Sequence, residues 1–247
     1  MTKYYSQLFA KGMNLLIRNP GEFIKNLNRL IRPKRKEYRK KFKMNLNQWL
    51  INHQKNVTKC HWMGVRMLKN PLDSWIYQEI IYEVKPDIIV EIGSAEGGST
   101  LYFAHILDII GKGQIISVDI DRERYNVKHE RIITLTGDSS SEEIVKEVSK
   151  LCEGKKTLII HDGDHTKEKV LEDINLYSKF VSLNSYLIIE DGIMDLFRPG
   201  DGIGSFKDAP LAATEEFLKR NPNFIVDKEK ERYILTYNPK GFLKRMR

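Results

Sequence analysis

The chain has 247 residues, 41% of them hydrophobic and 30% charged, the composition of an ordinary water-soluble globular protein with one sizeable core. No apolar run approaches the roughly 18 residues of a membrane span, and no secretory-leader pattern opens the chain. Cys60 and Cys152 stand far apart, outside any metal-ligand spacing. A membrane-spanning protein and a disulfide-rich secreted one are thereby set aside, and two reduced thiols in the cytoplasm are expected. The net charge of +8 is uneven: residues 1–43 hold 13 Lys+Arg against Glu22 and Glu37, while the remainder is mildly acidic.

In chain order, the first 57 residues read as a basic helical arm. Tyr5, Leu8, Phe9, Met13, Leu16 and Ile17 recur at helical steps, as do Phe23, Ile24, Leu27, Leu30 and Ile31, with Asn19-Pro20-Gly21 between the two sets. The run RPKRKEYRKKFK follows at 32–43. Two uses stay open: helices that pack or form a homo-oligomer, and a membrane-surface arm drawn to anionic lipid. Nothing in the run matches a fold that reads nucleic-acid grooves, so nucleic acid is not the expected partner.

From about residue 74 strand and helix patterns alternate. The expected strands are 87–92, 114–120, 131–135, 156–162 and 185–191, with helices between them. Ser140 and Glu143 have the spacing of a capping box for one helix, and Asp208 and Pro210 open another. FIVDK and RYILTYN are expected to close the domain as an antiparallel pair. Repeated βα units with nearly continuous apolar strands predict an α/β fold with a doubly wound, mostly parallel sheet over residues 58–247. Such sheets bind ligands at the carboxyl ends of their strands.

Those ends are all acidic: Glu91, Asp119, Asp138 just beyond the third strand, Asp162, and the pair Glu190–Asp191. Five successive acidic ends on one sheet edge converge on a common crevice. The loop VEIGSAEGGST at 90–100 fails both common phosphate cradles. Gly98 stands where a P-loop needs Lys, and Ala95 where a dinucleotide loop needs its second glycine. Asp162, Glu190 and Asp191 offer hard oxygen ligands to a divalent cation such as Mg²⁺.

The loop instead resembles motif I of the S-adenosylmethionine-dependent methyltransferases. That resemblance implies a seven-stranded Rossmann-like sheet and a cofactor cradle of Gly93, Ser94, Gly97, Gly98 and Ser99. Glu91 would hold the amino-acid end of S-adenosylmethionine, Asp119 the ribose, and Gly137 and Asp138 the adenine side. HDGDH (161–165) and IIEDG (188–192) resemble the metal-dependent O-methyltransferases. In that comparison Asp162 is both ligand and catalytic residue, and His165 stands where related enzymes keep a base. His161 is expected inside the strand end, with a structural role. Together with WMGVRMLKNPLDSWIYQEIIYEV (62–84) and LTYNPKGFLKR (235–245), these motifs are similar to the cephalosporin hydroxylase family and its rhamnosyl and macrolide O-methyltransferases.

The resemblance implies an enzyme that methylates a hydroxyl of a sugar or glycoside. A metal-bound hydroxyl is more acidic, and a neutral His165 accepts its proton. Residues 197–210 are expected to form a lid. Competing readings are a hydrolase using His161, Asp162, Asp164 and His165 as ligands, an iron hydroxylase in the same site, and a non-catalytic cofactor-binding scaffold.

Overall fold

The computed structural model describes residues 13–31, 43, 45–197 and 209–247. Chain packing separates residues 1–49 from residues 50–247. In the first unit, residues 13–18 are helical and α1 spans Pro20–Ile31, with Asn19 Oδ1 accepting the Glu22 N–H at 3.1 Å. The break at Asn19-Pro20-Gly21 is as expected. The first dozen residues, and the basic run apart from Lys43, lie outside the described residues, as does most of the expected lid. No helix among the described residues is long and apolar enough to cross a membrane.

The second unit begins within α2 (Leu46–Val57) and a short hairpin, β1 (His61–Trp62) and β2 (Val65–Arg66). Helix α3 (Pro71–Val84) follows. Asn70 caps it by accepting the Leu72 N–H, and Pro71 at the first turn forfeits only a donor the helix cannot use. Then come β3 (Ile88–Ile92), α4 (Gly98–Ile110), β4 (Gln114–Asp119), β5 (Ile132–Thr136) and α5 (Glu142–Cys152). The chain continues through β6 (Thr157–His161), α6 (Lys167–Tyr177), β7 (Tyr186–Ile189), α7 (Pro210–Arg220), β8 (Phe224–Val226) and β9 (Phe242–Arg245).

The sheet has seven strands in the order β5-β4-β3-β6-β7-β9-β8; β3 to β7 are parallel and β9 runs opposite to its neighbours. Its central strands are buried on both faces, which is why they read as unbroken apolar runs. Ile76, Ile80 and Ile81 of α3 and Phe103 and Leu107 of α4 fill one face. Val148 of α5, Ile174 of α6 and Phe217 of α7 fill the other. The expected mostly parallel, doubly wound sheet is borne out.

Two local expectations are corrected. The α5 cap is Ser141, whose side chain accepts the Ile144 N–H, one residue beyond the expected Ser140. Ser140 instead bonds Asp138 through its N–H and hydroxyl. Residues 232–238 form no strand. Their backbone groups are engaged elsewhere: the Leu235 carbonyl accepts from Asn70 Nδ2, the Tyr237 N–H donates to Asp73 Oδ2, and the Tyr237 carbonyl accepts the Ile193 N–H. With those groups spent, the last strand forms later, at Phe242–Arg245.

Candidate active site at the strand ends

Strand β3 turns into α4 through residues 93–97, and two glycines there make room for backbone. A Cβ at Gly93 would lie 2.1 Å from the Asp162 carbonyl oxygen, and one at Gly98 2.1 Å from that of Arg66. The glycines therefore let this loop pass between the end of β6 and the segment after β2. Ala95 takes a left-handed conformation (φ 45°), which aims its N–H at Asp119 Oδ2, 2.9 Å away. Asp119 Oδ2 also accepts the Ser94 N–H at 2.8 Å. Burial works to raise the Asp119 pKa, but these N–H donors hold it below the usual carboxylate range.

A cavity of about 530 Å³ opens over this loop, lined by Gly93, Ser94, Gly98, Ser99, Asp119, Gly137, Asp138, Asp162, His165 and Asp191. That volume suits a nucleoside-sized ligand. Lys169 also lines it and holds Asp138 at 2.7 Å, keeping that carboxyl below its ordinary range. Glu91 and Gly97 are not in the lining. Glu91 is fully buried in β3 and accepts the Thr100 hydroxyl, and burial pushes its carboxyl up. Gly97 is the left-handed cap of α4. A wider, shallower depression of about 1440 Å³ over α5 contains none of the strand-end acids.

At the rim, Asp162, His165 and Asp191 present ligand atoms within 4.8 Å of one another. His165 Nε2 lies 3.0 Å from Asp191 Oδ2 and 3.8 Å from Asp162 Oδ1. Burial acts to lower the His165 pKa, but hydrogen bonds and charge from both carboxylates push it up to about 10. Without a competing cation, His165 is therefore an imidazolium at neutral pH. Asp191 occupies the left-handed region (φ 58°), held by Asn238 Oδ1, which accepts its N–H at 3.1 Å. Side chains held in sparsely populated conformations cluster at working sites.

Glu190 is 5% exposed and meets Lys69 rather than this group, with Oε1 2.7 Å from Nζ. The same ammonium, itself 3% exposed, donates to Asp162 Oδ2. Burial opposes the charge on Lys69, yet Asp162, Glu190 and Glu91 raise its pKa. For Asp162 burial is likewise outweighed, by Lys69 and His165, and its carboxyl is lowered. Glu190 goes the other way, raised by burial and by the charge of Asp162. Lys69 lies within the motif stretch 62–84; its partners are 93 and 121 residues away, beyond the reach of any local pattern.

The group fits a hard divalent cation. It offers carboxylate oxygens and an imidazole at close range, and Asp162 already holds an ammonium. The four-ligand hydrolase set does not converge, because His161 is 2% exposed and bonds Asp173 Oδ2 at 3.0 Å.

This sheet, with a glycine loop fixed by the acid of the next strand, defines the S-adenosylmethionine-dependent methyltransferases. The chain belongs to the rhamnosyl O-methyltransferase/CmcI family, whose profile matches residues 54–246. It is 31% identical over 196 residues to the rhamnosyl O-methyltransferase of Mycobacterium tuberculosis (strain H37Rv), covering 75% of this chain and 78% of that protein. To the rhamnosyl O-methyltransferase of Mycobacterium leprae it is 30% identical over 189 residues, or 74% and 81% of the two chains. The structure of apo CmcI superposes with a TM-score of 0.61 at 25% identity over 77% of each chain. The family resemblance expected from the motifs is borne out.

Proposed function

We propose that the protein transfers the methyl group of S-adenosylmethionine to a hydroxyl of a sugar or glycoside, assisted by a divalent cation. The observation that carries this reading is the meeting of Asp162, His165 and Asp191 on the rim of the cavity that the glycine loop floors. Relatives of this chain act as rhamnosyl O-methyltransferases, which supports a sugar acceptor.

Gly93, Ser94 and Ser99 face the cofactor, with Gly98 admitting the close backbone approach and Gly97 ending the turn. Asp119 fixes the loop and stands at the ribose side; Gly137 and Asp138 stand at the adenine side. Glu91 acts from below through Thr100. Asp162 and Asp191 would hold the cation, with Glu190 completing the set on release from Lys69. A bound Mg²⁺ supplies charge that acidifies a nearby hydroxyl. His165, with a neutral Nε2, would take the hydroxyl proton as the oxygen bonds the methyl carbon and S-adenosylhomocysteine leaves. Placement of acceptor and donor in near-attack geometry supplies much of the acceleration.

Isothermal titration with S-adenosylmethionine, with and without Mg²⁺, followed by turnover on a panel of methyl glycosides, tests the proposal. Saturable cofactor binding and Mg²⁺-dependent methylation are expected. Absence of cofactor binding at millimolar concentration would falsify it. Turnover indifferent to chelation would remove the cation.

A further inference from the structure

Helix α6 carries a polar stripe that no step of the proposed transfer uses. Lys169, Asp173 and Tyr177 recur at four-residue steps, so they share one helix face, and all three bond the turn of residues 138–140. That turn is the adenine side of the cavity. The Lys169 ammonium donates to Asp138 Oδ1 at 2.7 Å and to the Ser140 hydroxyl at 2.6 Å. The Tyr177 hydroxyl donates to the Ser139 carbonyl at 2.7 Å. Asp173 accepts the Ser139 hydroxyl, which lies 2.9 Å from each of its two oxygens.

Asp173 differs from the other two by gripping a second element. Its Oδ2 also lies 3.0 Å from Nε2 of His161, the last residue of β6. The His161 carbonyl accepts the Glu190 N–H at 2.9 Å, and Asp162 follows directly in the chain. The adenine-side turn leaves β5, whereas Asp162 leaves β6, and in the sheet β4 and β3 stand between those two strands. No ladder hydrogen bond therefore joins the two strand ends directly. One carboxylate reaches both. It does so from the interior: Asp173 is 1% exposed, and Val170 and Ile174 beside it are fully buried in the apolar core.

We propose that Asp173 is a positioning residue. By tying the Ser139 turn to the end of β6, it sets the distance between the bound methyl donor and the cation-holding acids. The proposal rests on the methyltransferase reading above, since only then do these two strand ends carry donor and cation. Desolvating a carboxylate offsets much of what its hydrogen bonds return, so the value of Asp173 lies in the geometry it enforces. A misplacement of about 1 Å between reacting groups costs about 10²-fold in rate, so such a tie governs turnover more than either affinity.

The test needs no acceptor. S-adenosylmethionine carrying ¹³C in its methyl group is bound to the full chain with Mn²⁺ in place of Mg²⁺. Paramagnetic relaxation of the methyl carbon then reports its distance from the cation. Strong enhancement is expected in the wild type. Asp173→Ala should change it about twofold or more, the effect of a shift on the order of 1 Å on an inverse-sixth-power distance, while calorimetric affinities for S-adenosylmethionine and Mn²⁺ stay within about fivefold. Asp173→Asn should restore the wild-type value, because its amide oxygen accepts the His161 N–H and its amide N–H donates to the Ser139 hydroxyl. Should Asp173→Ala not fold, Ser139→Ala, which removes the adenine-side bond alone, carries the same expectation. Relaxation that stays normal in every chain that binds, or that changes equally in Asp173→Asn, overturns the proposal and leaves the methyltransferase reading intact. A wild type that fails to bind cofactor or cation overturns that reading, and this proposal falls with it.

Discussion

Among the described residues, two groups of three side chains have the proximity expected of metal ligands: Asp162, His165 and Asp191 at the strand ends, and His105, Asp108 and His129 beside α4. Their hydrogen bonds distinguish them. In the second group, His105 Nδ1 accepts the Trp62 N–H and His129 Nδ1 accepts the Arg131 backbone N–H at 3.2 Å. In both rings Nδ1 accepts a hydrogen bond, the opposite of a ligating histidine, whose second nitrogen normally donates. Arg131 further occupies Asp108 at 2.5 Å, leaving that group electrostatically satisfied. The strand-end acids are paired instead with the Lys69 ammonium and with His165 of the same group, positive charge that a cation can replace. Closeness of ligand atoms counts for little until the partners of those atoms are known.

Mutation sharpens the contrast, beginning with the largest effect. Asp162→Ala, or chelation of the wild type, should lower kcat/KM on the order of 10³-fold, a change of several kcal/mol in steady-state kinetics. Equal loss in Asp108→Ala would break the comparison. His165→Ala should lower kcat about 10²- to 10⁴-fold while calorimetric affinity for S-adenosylmethionine stays within twofold. An unchanged kcat removes His165 as base.

The next effect concerns a buried acid that has no cation beside it. Asp73 is 3% exposed, and burial pushes its pKa up to about 6 despite N–H donors from Tyr237 and Asn70. The native state therefore binds more protons than the unfolded chain between about pH 4 and pH 6. Stability falls by about 3 kcal/mol as pH rises through that window, then levels off. Asp73→Asn can still accept both N–H bonds, so urea unfolding should show the decline removed. A decline of the same size in the variant would assign it to another group. The smallest effect is expected at His129→Ala, a partly exposed pair worth at most about 1 kcal/mol in thermal unfolding, with no change in Mg²⁺ affinity.

Much of this was legible in the sequence because the relevant patterns are local. Buried parallel strands announce themselves as apolar runs, and a strand-end acid is one residue past such a run; Asp119, Asp162 and Asp191 were found that way. Residues 232–238 misled because their alternation suits a strand, whereas Asn70 and Asp73 take the hydrogen bonds that a ladder needs. Glu91 sits at the right point in its motif, but the pleat of β3 directs it to Thr100 rather than to the cavity.

The bonds from Asn70 and Asp73 to Leu235 and Tyr237 also set an order of events during synthesis. They span 165 and 164 residues, so the front of α3 cannot be fastened until residues 235–237 have left the ribosome. Contacts of such long sequence separation form slowly, and at about 5–20 residues per second a nascent sheet waits many seconds for its last partner. Lys69, next to Asn70, finds Glu190 earlier, across 121 residues. A chain released before residue 237 would leave Asn70 and Asp73 without these backbone partners, so such truncated products are predicted to be unstable.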